Sequence, residues 1–418
     1  MNLQLHKPLS LISGTINLPG SKSISNRVLL IKAISGLSFS IQNISDSDDT
    51  KALVKAFRDI EKGKSIIDIG HAGTDMRFLT AYLATSQHAC ELTGSERMQQ
   101  RPIKELVNVL QQLGSDITYK NTEDYPPLLI KGKQLHGGKA TINGNVSSQF
   151  ISALLLVAPY FTNGLELVLE GDVVSKPYIN MTIEIMKTFG ALVEWTIDCI
   201  VVKPKPYHYS QDDFIIESDW SAASYFYSLV ALSKHPANIT LHGLFKTSLQ
   251  ADAVCATLFS DFSVTTLHTK NGVVLKKEGN TGAKLFDYDF TDCPDIAQTL
   301  ACTCLGLNIP FYFTGLKTLK VKETDRIIAL QTEFKKFRKE LSITENTIKF
   351  ITDDSSLITY HKQLIISTYH DHRMAMAFAP LCVVVDNMVI EQASVVSKSY
   401  PNYWNDLKKV GIISQAAK

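Results

Sequence analysis

One pattern recurs six times along the chain and limits its fold more than any other feature. A polar turn with Gly or Asp leads into small and hydroxylated residues, and these run on into an apolar helix. The instances are PGSKSISNRVLLIKAI from Pro19, GHAGTDMRFLTAYLA from Gly70 and GNVSSQFISALLLVA from Gly144, followed by SDWSAASYFYSLVAL from Ser218, TDCPDIAQTLACTCLG from Thr291 and HDHRMAMAFAPLCVV from His370. After the first interval the spacing settles at ~70–80 residues, longer than the common solenoid periods. Between these helices lie β-type segments such as Ala140–Asn143, Leu165–Glu170, Asn238–Leu241 and Gly272–Lys276, and second helices such as Tyr178–Phe189. Hydrophobic periods of two and of 3.6 therefore alternate throughout, which predicts six βα-type units in an α/β or α+β architecture.

A helix N-terminus exposes unpaired N–H groups and carries about half a positive charge. Any one Ser-rich helix start is explained by capping alone. Here, however, basic side chains flank most of the starts. Lys22, Ser23 and Arg27 surround the first, and Arg77 follows Gly73 and Thr74 at the second. Arg97 and Arg101 precede Pro102, a residue that commonly opens a helix. VKETDR packs Lys322, Glu323, Asp325 and Arg326 together and, taken alone, reads as a surface helix start. Cations at a helix N-terminus oppose its dipole by a few tenths of a kcal/mol, so an anion at these starts accounts for them better. HDHR at His370–Arg373 offers His370 and His372 but no third ligand nearby, and Arg373 favours an anion over a metal. Lys398 sits in a loop ahead of a terminal helix.

Other features narrow the function class. The 418 residues exceed one ordinary core, so two or more domains are expected. A net charge of +1 leaves no overall basic footprint for nucleic acid or an anionic membrane. The seven cysteines are scattered, without CxxC or zinc spacing, and read as reduced, buried thiols. No apolar run reaches the roughly 18 residues of a membrane span, and the N-terminal segment has no signal core, so a cytoplasmic location is expected. EKGKS at Glu61 resembles the end of a P-loop, but Arg58 stands where its first glycine belongs, and no GxGxxG follows a strand. Neither a cofactor nor a metal is indicated.

LPGSKSISNR, AGTDMR, LTGSERMQQRPI, GNVSSQF, SKPYINMT, VKETDR and DHRMAMAF occur in the order seen in 5-enolpyruvylshikimate-3-phosphate synthases, which the chain resembles from Leu18 to Trp404. The resemblance implies two similar domains, each of three βαβαββ units in an inside-out α/β barrel, with the active site in the interdomain cleft. One domain would span residues 19–218, and the other would combine 1–18 with 219–418. The implied activity is a 3-phosphoshikimate 1-carboxyvinyltransferase of aromatic amino acid biosynthesis, acting as a monomer without cofactor. It would transfer the enolpyruvyl group of phosphoenolpyruvate to the 5-hydroxyl of shikimate-3-phosphate and release phosphate.

Position by position, Lys22, Ser23, Arg27, Ser147, Ser148, Gln149, Ser175, Tyr178, Asp295 and Lys322 match the shikimate-3-phosphate set. Lys22, Gly73, Arg101, Gln149, Arg326, Arg373 and Lys398 match the phosphoenolpyruvate set. Asp295, Glu323, Lys22 and Lys322 match the proton-transfer positions. SSQ and SKPY separate the chain from the sister transferase that acts on UDP-N-acetylglucosamine, which typically has Lys-Asn where this chain has Lys22-Ser23. Four positions depart from the common pattern, namely His71, Asp75, Phe78 and Thr318. Asp75 would weaken anion binding if it faced the phosphoenolpyruvate pocket, and would only favour the helix dipole if it pointed outward. Gly73 keeps space open beside that pocket, which implies sensitivity to the inhibitor glyphosate. A binding protein without turnover is the rival class, and the retained Lys22, Asp295 and Glu323 argue against it.

Overall fold

The computed structural model describes residues 1–8, 10–277, 279, 284–351 and 363–417. The chain forms two compact units, Ser21–Ile216 and the combination of Met1–Gly20 with Glu217–Lys418. Each has its own apolar core.

In the Ser21–Ile216 unit, strands Ile66–Asp68 and Ala89–Thr93 pair in parallel, with helix Gly73–Thr85 between them in sequence. The hairpin Asp116–Tyr119/Leu128–Lys131 then completes an antiparallel edge. Strands Gly138–Asn143 and Leu165–Glu170 repeat the scheme around helix Ser148–Val157, and the hairpin Val193–Trp195/Cys199–Val202 follows helix Lys176–Thr188. The third repeat is pared to one parallel pair, Ser40–Gln42 with Asp213–Ile215. In both four-stranded repeats the strands flanking the first helix pair in parallel and the closing hairpin is antiparallel, as its direct connection requires.

The other unit has three four-stranded sheets among the described residues, each with the same order of one parallel pair and one antiparallel edge. Its N-terminal strands are threaded into distant partners. Leu3–His6 lies between Met388–Ile390 and Ile413–Ala416, and Ser13–Asn17 pairs with Asn238–His242.

Two of the helices that open on the repeated motif, Ser148–Val157 and Trp220–Leu232, are apolar nearly all round, the signature of a helix with no solvent face. Every residue of Ser148–Val157 except Gln149 is buried, as is every residue of Trp220–Leu232 except Ser221. Their few hydroxyls pair across helix contacts, with Ser224 to Thr299 at 3.1 Å and Ser228 to Thr303 at 2.7 Å. Polar atoms inside such a core need these partners.

The strand expected over Ala140–Asn143 starts at Gly138, and the helix expected over Tyr178–Phe189 runs Lys176–Thr188. Pro102 does not open a helix. The Ile103 N–H donates to the Asp124 carbonyl, Ile103 has φ −134°, and the helix starts at Lys104. Six cysteines are buried and free, and Cys199 is a half-buried free thiol. Among the described residues no helix is long and apolar enough to cross a membrane.

Candidate active site

Each unit carries its own charged cluster, built at its helix starts. In the Ser21–Ile216 unit, hydrogen bonds stitch together the first turns of four helices. Asn26 donates to Asp75 Oδ1 at 2.8 Å, joining Lys22–Ser35 to Gly73–Thr85. Gln149 donates to Thr74 Oγ1 at 3.0 Å, joining Ser148–Val157 to the same turn. Arg27 donates to Thr182 Oγ1 at 2.7 Å and to the carbonyls of Ser23 at 2.7 Å and Tyr178 at 3.3 Å, which brings in Lys176–Thr188.

Arg27 is only 3% exposed and lies 5.6 Å over the ring of Phe78. The departure at Phe78 thus supplies an aromatic face for a buried cation. Arg77 lies in turn over Phe150 at 5.6 Å and donates to the carbonyls of Gly73 and Pro102. Burial pulls the Arg27 guanidinium down to about 10, and burial, then the nearby Arg101, pulls Arg77 down to about 9. Neither makes an ion pair among the described residues.

Lys22 and Arg27 turn to different partners, Lys22 pairing with Asp49 at 2.9 Å. A Cβ at Gly73 would come within 2.3 Å of the Arg101 guanidinium, so the space that glycine leaves is taken by Arg101. Ser147 caps the Ser148–Val157 helix and is exposed, whereas Ser148 is buried. Ser175 is buried with φ 55°, in the left-handed region a non-glycine residue rarely adopts, at the entrance of Lys176–Thr188. His71 is exposed and hydrogen-bonded to Ser95 Oγ at 2.8 Å.

Asp75 faces inward with no exposure, and its Oδ2 has no partner among the described residues. Burial, then the neighbouring Asp49, raises its carboxyl well above the usual range, against the pull of Lys22 and Asn26.

The second cluster belongs to the other unit and is a web of ion pairs. Asp325 caps the Arg326–Lys336 helix through the N–H groups of Ile327 and Ile328. This places Arg326, which is 1% exposed and far from a surface residue, among three carboxylates. It meets Asp371 at 2.7 Å, Glu323 at 3.0 Å and Asp295 at 3.2 Å. Asp371 also caps the His372–Phe378 helix by accepting from the Arg373 N–H. Arg373 reaches Asp295 at 2.8 Å, Lys322 reaches it at 3.7 Å, and Lys398 grips Glu323 at 2.6 Å.

Burial pushes the Asp295 carboxyl up, but Arg373, Lys322 and Arg326 outweigh it and hold the group well below the usual carboxylate range. Glu323 is likewise raised by burial, yet Arg326 and Lys398 bring it down. Arg326 is lowered by burial and lifted further by Asp371, Glu323 and Asp295. The two carboxylates among the proton-transfer positions are thus held toward the ionised form, beside cations that an incoming anion would compete for.

Asp295, Glu323, Lys322, Arg326, Arg373 and Lys398, chosen from motifs far apart in sequence, come together here. Asp371 was not singled out, although it stands inside HDHR. Asp49 and Asn26 were also missed, because SDSDDT at Ser45–Thr50 carries no spacing signal toward Lys22. Among the described residues no three His, Cys, Asp or Glu side chains gather as a metal site.

Repeated mixed sheets with helix starts ringed by guanidinium, lysine and hydroxyl groups define an α/β protein equipped to handle phosphate- and carboxylate-bearing molecules. The family model for EPSP synthase (3-phosphoshikimate 1-carboxyvinyltransferase) matches residues 7–64 and 58–407. The 3-phosphoshikimate 1-carboxyvinyltransferase of Bacteroides fragilis strain YCH46 is 51% identical over 403 residues, 96% of each chain. That of Aliivibrio fischeri strain ES114 is 36% identical over 428 residues, covering 97% of this chain and 98% of its own. The solved EPSP synthase of Acinetobacter baumannii has a TM-score of 0.77 at 19% identity, over 99% of this chain and 100% of that one, a likeness of fold. The chain belongs to the EPSP synthase family.

Proposed function

We propose that this protein transfers the carboxyvinyl group of phosphoenolpyruvate to the 5-hydroxyl of shikimate-3-phosphate, with release of phosphate. The observation that carries the reading is Asp295, an ionised carboxylate gripped by Arg326, Arg373 and Lys322 beside the Glu323–Lys398 pair. In this reading Lys22, Ser23, Arg27, Ser147, Ser148, Gln149, Ser175, Tyr178, Asp295 and Lys322 hold shikimate-3-phosphate. Lys22, Gly73, Arg101, Arg326, Arg373 and Lys398 hold phosphoenolpyruvate, with Lys22 and Gln149 serving both.

The reaction is addition followed by elimination. The acceptor oxygen attacks C2 of phosphoenolpyruvate as Asp295 takes its proton and C3 gains one, with Lys22 as donor, or Glu323 once it has taken up a proton, and Lys322 relaying. Loss of phosphate from C2 of the tetrahedral intermediate, with return of a C3 proton to the group that donated it, then restores the double bond. A carboxylate held this low is a weak base. The carboxylate and phosphate of the substrate compete for Arg373 and Lys322, which lets Asp295 rise toward a pKa useful for proton transfer.

The test is phosphate release from phosphoenolpyruvate with shikimate-3-phosphate, and in parallel with UDP-N-acetylglucosamine. Release with the former alone is expected. Asp295→Ala should cut turnover by ~10²–10⁴, and wild-type turnover in that variant would overturn the base assignment.

A further inference from the structure

Asp252 takes no part in the chemistry above, yet it stands directly behind it. It lies in the short turn Ala251–Val254 and is 5% exposed. Its Oδ2 accepts from the Ser221 hydroxyl, and its Oδ1 has no partner among the described residues. Ser221 belongs to the first turn of Trp220–Leu232 and is the one residue of that helix not buried. Arg373 Nη2 donates to Ser221 Oγ at 3.3 Å and to Asp295 Oδ2 at 2.8 Å. Its Nη1 donates to the Asp295 carbonyl at 3.2 Å.

A serine hydroxyl has one proton to give. With that proton directed at Asp252, the Ser221 lone pairs are turned to Arg373. The result is a directional chain from guanidinium to hydroxyl to buried carboxylate, each link polarising the next. We infer that Asp252 is a positioning residue, which fixes the direction of Arg373 through Ser221 and thereby strengthens the hold on phosphoenolpyruvate. The inference rests on the reading of Arg373 as a phosphoenolpyruvate-binding group.

The groups facing Asp252 come from several elements. Arg373 lies on the His372–Phe378 helix, Asp295 on the Pro294–Ile296 turn and Asp219 at the cap of Trp220–Leu232, with the thiols of Cys255 and Cys293 nearby. Burial, then Asp295, pushes the Asp252 carboxyl up to about 7 against the pull of Arg373 and Ser221. A neutral acid accepts a hydrogen bond more weakly than a carboxylate, so the hold on Arg373 loosens as pH falls through neutrality.

The experiment measures KM for each substrate and the melting temperature of wild type, Asp252→Asn, Ser221→Ala and the double variant between pH 6 and pH 8. At pH 8, Asp252→Asn should raise the phosphoenolpyruvate KM about five- to tenfold and leave the shikimate-3-phosphate KM unchanged. The penalty should shrink toward pH 6, where wild type has lost the same charge, and Ser221→Ala should add little in the double variant. A phosphoenolpyruvate KM within twofold of wild type at pH 8, or a penalty independent of pH with a lowered melting temperature, overturns the inference while the proposed reaction stands. Wild-type protein that releases no phosphate overturns both.

Discussion

Arg27 and Arg326 are both buried guanidiniums at helix starts, and their surroundings are opposite. Arg27 is held by hydroxyls, backbone carbonyls and the face of Phe78. Arg326 is held by Asp371, Glu323 and Asp295. Burial weakens the first cation, whereas carboxylates overcome burial and reinforce the second. A buried charge surrounded by neutral acceptors keeps its field available to an incoming anion. One encased in carboxylates has that field partly offset, and also holds those carboxylates in place as a strut. The same residue type thus meets neutral acceptors in one unit and carboxylates in the other, and in the proposed site Arg326 acts on phosphoenolpyruvate from within that web.

The comparison is most exposed to failure at Arg326. Arg326→Met leaves three carboxylates packed without their shared cation and should cost on the order of 3–5 kcal/mol, seen as an early thermal transition. A variant that melts with wild type would remove the strut. Arg27→Met should cost less, roughly 1–3 kcal/mol, because it strands only neutral groups. It should also weaken shikimate-3-phosphate binding in titration calorimetry, and a stability loss equal to that of Arg326→Met would erase the distinction.

The smallest effect concerns Asp75, whose folded pKa lies above its unfolded value of about 3.9. The folded state then keeps a proton that the unfolded state gives up, so stability falls as pH rises above about 4. Asp75→Asn keeps the Asn26 contact and removes that penalty. It should gain on the order of 1 kcal/mol at pH 8 and nothing near pH 4, and a gain independent of pH would assign the effect to packing instead.

The repeat of small, hydroxylated helix starts was legible because a helix with no solvent face must be apolar all round, and that pattern needs no tertiary information. Lys322, Glu323 and Arg326, which alone read as a surface helix start, were legible as site residues only through the family resemblance. Asp371 was harder to see. Its neighbours in HDHR point to an anion at Arg373, and only the fold brings Asp371 to Arg326, 45 residues away along the chain. The orientation of Asp75 was open for a related reason. A first-turn acid satisfies the helix dipole whether it faces in or out, and its direction depends on Asn26 reaching across from another helix. The third repeat of the Ser21–Ile216 unit gave no sign that its sheet would be reduced to two strands.

Strand Leu3–His6 finds its partners only at Met388–Ile390 and Ile413–Ala416. At roughly 5–20 residues per second of synthesis, its neighbours arrive tens of seconds after it leaves the ribosome. The Ser21–Ile216 unit is complete in sequence long before then. The order of assembly is therefore written into the chain, with the inserted unit able to fold first while an unpaired amphipathic strand waits for its partners. Nascent chains stalled near residue 300 should resist protease over Ser21–Ile216 and be cut within the first 20 residues. The opposite order of protection would mean that the waiting strand is sheltered by something other than its final sheet.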